Sequence, residues 1–568
     1  MSIIPKDRKW TQTNTGDVGG VLSHSWGVDL NENKGKVQVS NPLKNVFDEV
    51  DDTDLQNPVA KFVEYNSKIF AIANKVFKVT STTGTDITLT ANWSQDAVSG
   101  TPSPGATVTD AVVFDSLLLV QDGDDIKSFN GTSWASWWKT TLAQSALATG
   151  QKFILKVGPD GNLYITDGGN KVYRVTTAST VTKTGQGTLD FSSTTQILNC
   201  ATTTSSRIWY GTEDSAGENA VIIEWDMGPQ SISANKIHEM GVKRVLCMAT
   251  WNDTPIAILS DGSIKYHNGV SFVDWKGAQL PRTNNQYHNS IIHKNGWAII
   301  DNLPHFLINP TVDIDETSIV EDTSNYWNYP AGVYCLDPEL GLYCRYALIG
   351  STKAQRQVSS LGALFARSHK NTKFFASYDF YNSSLSAKAV IACEDKNNTI
   401  DVKGWLGFQP VDSYDEVIKK IDLLHKRLGT GDAINVYVRM FDTESILATG
   451  YWYSTTQFNT TDTITGIDED WFVFSKTVDN WSSTVQSYDD STTSTVIFKD
   501  ANTGVAQNDS AVLEFINFKK IASITNTTKE FDVATLTDTT KSRGVWILLE
   551  LKQSAGNKIE LDYIITGT

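Results

Sequence analysis

Eight histidines, an abundance of carboxylates and a tight run of tryptophans are the residues of this chain that could do chemistry. The histidines (His24, His238, His267, His288, His293, His305, His369 and His425) show neither an H-E-x-x-H helix nor any other paired metal spacing. His288 and His293 stand five apart beside an apolar strand and read as structural or surface residues. Serine chemistry would need a G-x-S-x-G elbow, which is missing. The run Gly185–Asp190 (G-Q-G-T-L-D) lacks the third glycine and the helix of a nucleotide loop. A glycosidase needs two carboxylates across one cleft, and no spacing here pairs two of them. The propeller sialidase box S-x-D-x-G-x-x-W does not recur, so Ser260–Ser263 is a turn. No catalytic residue, metal or cofactor is therefore assigned, and the expectation is a non-enzyme.

Three features remain as candidate interaction surface or ion sites. Asp122–Asp125 (D-G-D-D) and the group Asp313, Asp315 and Glu316 offer hard oxygen ligands, but without the spacing of an EF-hand loop. A Gly/Asp hairpin turn and a solvated acidic loop are the preferred readings. The acidic stretch runs on through Glu321 and Asp322 and interrupts a repeat, as binding loops on rigid scaffolds do. Trp134, Trp137 and Trp138 could stack on sugars, although aromatics in such strands more often fill the space between sheets.

The elements that would position these residues are strands. Val112–Trp134, Phe153–Val175 and Val245–Gly269 share one pattern of apolar strand, polar turn, apolar strand, Gly/Asp turn and third strand. Seven such units centre near Phe70, Leu118, Tyr164, Trp209, Ile256, Trp297 and Phe375, the first six spaced by about 45 residues. The longer last gap is filled by the acidic insertion at 310–329. A period of that length built of short strands predicts a β-propeller of about seven blades over 51–395. From 396 onward the rhythm changes to longer strands near Trp471, Val496, Leu513, Trp546 and Ile559, predicting a β-sandwich over 396–568. Val417–Leu428 has apolar residues at helical spacing, yet a strand turning at Gly429–Asp432 into Ile434–Val438 is preferred. Residues 1–50 read as an arm with a short hairpin that docks on a neighbour or closes the ring.

Bulk properties agree with a mainly β class of 568 residues, 20% charged and 10% aromatic, with mean hydropathy −0.25. A net charge of −16 argues against a broad grip on nucleic acid but permits passing DNA to slide by. Five cysteines without a C-x-x-C pair suggest buried thiols of a reducing compartment, with one cross-strand Cys335–Cys344 disulfide left open. The start M-S-I-I-P-K-D-R-K-W carries no signal-peptide run, and no stretch reaches about 18 apolar residues, so assembly in a cytoplasm without a membrane span is expected.

Two segments carry a family resemblance. G-G-V-L-S-H-S-W-G-V-D-L-N-E-N-K-G-K-V-Q-V-S-N-P (Gly19–Pro42) resembles the start of tailed-bacteriophage virion proteins, in which a β-propeller follows. W-L-G-F (Trp405–Phe408) with I-K-K-I-D-L-L-H-K-R-L-G-T-G-D-A-I-N-V-Y-V-R (Ile418–Arg439) resembles the β-sandwich that accompanies it. The plan is similar to that of the nozzle, or tail tubular, proteins of short-tailed phages, although this chain is shorter. The resemblance implies a structural tail protein in the virion, without catalytic residues, contacting other tail proteins in a homo-oligomeric ring. A receptor- or glycan-binding tail-tip protein, contacting a host receptor, is the alternative, and a propeller glycoside hydrolase the weaker one.

Overall fold

The computed structural model describes residues 2–3, 22–30, 36–48, 55–102, 110–144, 153–182, 189–190, 195–228, 236–280, 291–309, 312–315, 318–321, 331–348, 357–412, 417–440, 445–461, 471–475, 482–489, 494–537 and 544–567, apart from a few positions within those spans, and a few isolated residues between them. Two compact units emerge. One comprises 44–321 and 358–394; the other comprises 1–43, 322–357 and 395–568. The boundaries thus differ from a simple arm, propeller and C-terminal succession, because the units interleave along the chain.

The first unit is a β-propeller. Its strand groups begin with the innermost strands β1 (Lys61–Tyr65), β2 (Ala111–Phe114), β3 (Leu155–Val157), β4 (Gln196–Thr203), β5 (Val245–Trp251), β6 (Trp297–Ile300) and β7 (Gln357–His369). β1 to β5 each open an antiparallel meander of four or five strands, and β6 pairs with Leu303–Ile308. The sheet opened by β7 is completed by Leu43–Asp48, so a strand from before the first group closes the last.

The repeat in sequence has a local cause. Asn66-Ser67, Asp115-Ser116, Asn252-Asp253 and Asp301-Asn302 all hold two consecutive positive φ angles between the first and second strands of their groups. Two residues with φ > 0 make the tight hairpin turn whose twist matches that of the strands, and Asn and Asp tolerate it best. Neighbouring sheets then bury each other. Phe70, Ile72 and Val76 pack with Leu118, Val120 and Phe129. Leu119, Ile126 and Trp138 pack with Leu163 and Ile165. Tyr164 and Val172 pack with Leu198, Tyr210 and Trp225, and Cys200 and Trp209 with Val245, Met248 and Leu259. Phe375 and Ile391 of the last sheet meet Phe62, Ile69 and Trp93 of the first. This last contact closes the ring, and it is how a set of sheets that cannot each cover two faces becomes stable.

The second unit is also built of strands. Leu22–Trp26 lies between Gly341–Ala347 and Val402–Asp412, with Trp26 opposite Trp405 and Leu22 opposite Phe408 in register. Gly27, at φ +67°, lets the chain pass so close to Lys403 that a Cβ would sit 2.6 Å from its carbonyl oxygen. Val28–Asp29 and Val37–Val39 join Glu560–Gly567, Lys420–His425 and Phe531–Thr535 in another sheet. Leu22–Trp26, Val28–Asp29 and Val37–Val39 are thus paired within their own chain. Lys420–His425 is a strand with Ile421 and Leu423 buried, as preferred over a helix. Trp452, Phe458, Val473, Phe498 and Phe515 form a core between its C-terminal strands. Gly332–Asp337 and Gly341–Ala347 set Cys335 opposite Tyr343 and Cys344 opposite Tyr334. Adjacent positions on a strand point to opposite faces, so this register removes the disulfide; none of the five cysteines is in a disulfide, and all five are buried.

Candidate functional site

The innermost strands enclose the channel at the propeller centre. A cavity of about 510 Å³ is lined by backbone and side chains of β1, β2, β3, β6 and β7, mostly apolar: Phe62, Val112, Leu155, Trp297 and Phe365 among them. Lys61, Glu64, Lys156 and Asn295 supply polar groups to the same wall. Behind them lies Asp110, 1% exposed. Its Oδ2 accepts from Leu155 N–H at 3.0 Å and lies 3.9 Å from Lys294 Nζ, while Oδ1 accepts from Asn295 Nδ2 at 3.2 Å and Ala111 N–H at 2.9 Å. Asn295 also donates to the Ala60 carbonyl at 3.0 Å and accepts from Lys61 Nζ at 3.0 Å. Lys294 Nζ donates to the Phe153 carbonyl. One buried network therefore ties the strand groups of β1, β2, β3 and β6 together around the axis.

The electrostatics follow from the count of charges. Burial alone would raise the Asp110 carboxyl, but the ammonium groups of Lys294, Lys61 and Lys156 more than offset it and hold the group below its ordinary range. Lys156 goes the other way: enclosure by the strands, then repulsion from Lys61, pushes it down to about 8. Lys61, Lys156 and Lys294 surround Asp110, while the lining Glu64 is paired with Arg367 at 3.2 Å, so the groups around the channel carry an excess of positive charge in a chain whose net charge is −16. Such a cavity can receive an anionic group. Sequence reading missed it because Lys61, Asp110, Lys156 and Lys294 are far apart along the chain. The available signal is Lys156 itself, a charge inside the apolar run F-I-L-K-V of an innermost strand.

A second cluster lies between the sheets opened by β4 and β5. Glu224 on Val221–Trp225 and His238 on Lys236–Glu239 are diagonal neighbours, since Ile222 pairs with His238 and Glu224 with Lys236. His238 Nε2 and Glu224 Oε2 are 3.2 Å apart. His267 comes from Ser263–His267 of the next sheet, and one ligand atom from each of the three residues lies within 4.8 Å of the others. Arg207 Nε holds Glu224 Oε1 at 3.0 Å. Trp209 and Phe272 wall the rings, with Trp209 centred 4.9 Å from His267 and Phe272 5.3 Å from His238. Burial lowers the pKa of both imidazoles, outweighing the Glu224 contact at His238. Residues 224, 238 and 267 have no motif spacing; only the packing of two sheets assembles them.

The residues singled out from the sequence fall elsewhere. Trp134, Trp137 and Trp138 are 6%, 1% and 1% exposed, which places them in the core and corrects the reading of a sugar-stacking or interaction surface. Trp134 stacks on Phe129 at 4.8 Å and donates to Asp96 Oδ2 at 2.7 Å; Trp137 donates to the Ala178 carbonyl. Asp122 and Asp124 pair with Lys127 and Lys139, and Asp125 accepts from Ile126 and Lys139 N–H, so this turn is held by its own charges. In the acidic insertion, Val312–Asp315 pairs with Ser318–Glu321 as a hairpin, with Asp313 opposite Val320, Asp315 opposite Ser318 and Glu321 opposite Val312. Glu316, Asp322 and His288 lie outside the described residues, as does most of Gly185–Asp190. His293 Nδ1 accepts from Asn295 N–H at 3.1 Å, a structural role beside the channel network.

No family model matches the chain, and no curated protein matches it. Among solved structures, the WD40 β-propeller domain of Doa1 is similar over 63% of this chain and 98% of its own, at 13% identity and TM-score 0.37. BBS1N in complex with ARL6DN is similar over 63% and 98%, at 9% identity and TM-score 0.36. An exo-β-1,3-galactanase from Phanerochaete chrysosporium is similar over 93% and 100%, at 10% identity and TM-score 0.24. Among the described residues no helix is long and apolar enough to cross a membrane.

Proposed function

We propose that this protein is a non-enzymatic structural component of a tailed-bacteriophage virion, built into the tail in the manner of a nozzle, ring or hub protein. The observation that supports this reading is the pairing of the two segments that carry the family resemblance. Leu22–Trp26 from the first and Val402–Asp412 from the second are adjacent strands of one sheet, so the two form one module. A structural role also fits the use of the deepest carboxylates. Glu550 accepts from Asn435 at 2.7 Å and Tyr437 at 3.1 Å, Asp395 caps Asn397 and Thr399, and Asp110 ties the propeller strands. Each is committed to holding backbone or neighbouring side chains in place.

In this reading the propeller supplies rigidity, and copies of the chain contact one another and other tail proteins in a closed ring. DNA passing such a ring meets a net negative subunit and does not adhere. The protein is made in the host cytoplasm and is carried in the particle. Mass spectrometry of purified virions, with antibody labelling to locate the chain, tests the proposal. Absence from intact particles refutes it.

A further inference from the structure

We propose that Glu224, His238 and His267 form a binding site for a divalent transition metal of the zinc class, which staples two neighbouring propeller sheets. The donor set is two imidazoles and one carboxylate, with ligand atoms mutually within 4.8 Å, close enough to converge on one ion after small side-chain rotations. Two nitrogen donors favour Zn²⁺, Co²⁺ or Ni²⁺ over Ca²⁺ or Mg²⁺, which prefer all-oxygen shells. Three protein ligands leave one tetrahedral position for water.

Two further observations point to a ligand. His267 is partly buried, but its Nε2 atom is enclosed and has no hydrogen-bond partner, an uncommon state for an enclosed ring nitrogen. Glu224 is oriented from outside the cluster, since Arg207 holds Oε1 and turns Oε2 toward the histidines. Such outer partners fix a ligating carboxylate in ordinary metal sites. Glu224 and His238 belong to the sheet opened by β4, and His267 to the sheet opened by β5. An ion held by all three is therefore a cross-link between sheets that also meet through apolar contacts such as Cys200 with Val245 and through polar ones such as Thr202 with Thr250 and Arg244 with Glu213. His267 Nδ1 accepts from Gly269 N–H at 3.3 Å, which leaves the proton on Nε2 of the neutral ring. Coordination through Nε2 moves that proton to Nδ1 and gives up the long Gly269 bond. Access is from the His267 side, where residues 268–271 are exposed.

The full-length chain, stripped with chelator, is titrated with Co²⁺ and followed by visible d–d absorption, then back-titrated with Zn²⁺. The expected result is one equivalent bound per chain with a tetrahedral spectrum, displaced by Zn²⁺ and not by equal Mg²⁺, and a higher thermal midpoint with metal. His267→Gln, on the more exposed ligand, should keep the far-UV circular dichroism of the parent and lower Co²⁺ affinity at least about tenfold. His238→Gln should do the same where it folds. Binding of wild-type strength in folded His267→Gln overturns the proposal, as does weak uptake of several equivalents or no saturable uptake.

Discussion

Lys156 is the sharpest test of the channel electrostatics. Its pKa falls from 10.5 to about 8 because the folded strands enclose the ammonium and Lys61 repels it, net of attraction from Asp110. At about 1.4 kcal/mol per pH unit, that depression costs the fold about 3 kcal/mol whenever the amine is charged. A group whose pKa is lower in the folded chain than in the unfolded one is penalised at low pH. The cost is complete below pH 8, fades between 8 and 10.5, where the folded chain has shed a proton that the unfolded chain holds ever less tightly against the rising pH, and is gone above 10.5. Lys156→Met keeps the side-chain length and removes the charge. At pH 7 it should stabilise the propeller by about 3 kcal/mol, roughly 5 °C or more in its thermal midpoint. Urea and thermal unfolding of both chains from pH 6 to 11 measure the difference. A stabilisation that does not shrink above pH 8, or a variant less stable at pH 7, would refute the account of the channel as an underneutralised cationic cavity.

Asp29 meets Arg345 with Oδ2 2.5 Å from Nη2 and 3.1 Å from Nε, the two side chains 4% and 2% exposed. Asp29→Ala should cost about 3–5 kcal/mol by removing the carboxylate from a buried guanidinium, and Asp29→Leu with Arg345→Met should recover most of it; urea midpoints decide. Trp138→Ala should cost about 3–5 kcal/mol through the cavity left against Leu163 and Ile165, seen in thermal unfolding. Loss of glycan binding at unchanged stability would restore the platform reading instead. Burial pushes the Cys335 thiol up to about 12 and Cys247 well above its usual value, so a thiol reagent should label none of the five cysteines in the folded protein and all five after unfolding.

What the linear chain determined is local. Alternating apolar residues and Asn/Asp turn pairs dictate hairpins, because φ > 0 at two consecutive positions is open to few residue types and the strand period is two. That was enough to read repeated sheets from Phe70 to Phe375 and strands such as Ala433–Met440 beyond them. The order in which distant segments meet was decided by the tertiary structure. Leu43–Asp48 completes a sheet more than three hundred residues downstream, and 322–357 joins the unit of 395–568. Aromatic clustering at Trp134–Trp138 left platform and core both open, and burial between two sheets settled it. The charged and ligating groups were least legible. Lys61, Asp110, Lys156 and Lys294 converge only because innermost strands of different groups share one axis. Glu224, His238 and His267 meet only because adjacent sheets pack face to face. Spacing along a chain records chemistry when one helix or one turn presents it; in a ring of sheets the chemistry lies between elements, where spacing carries no trace of it.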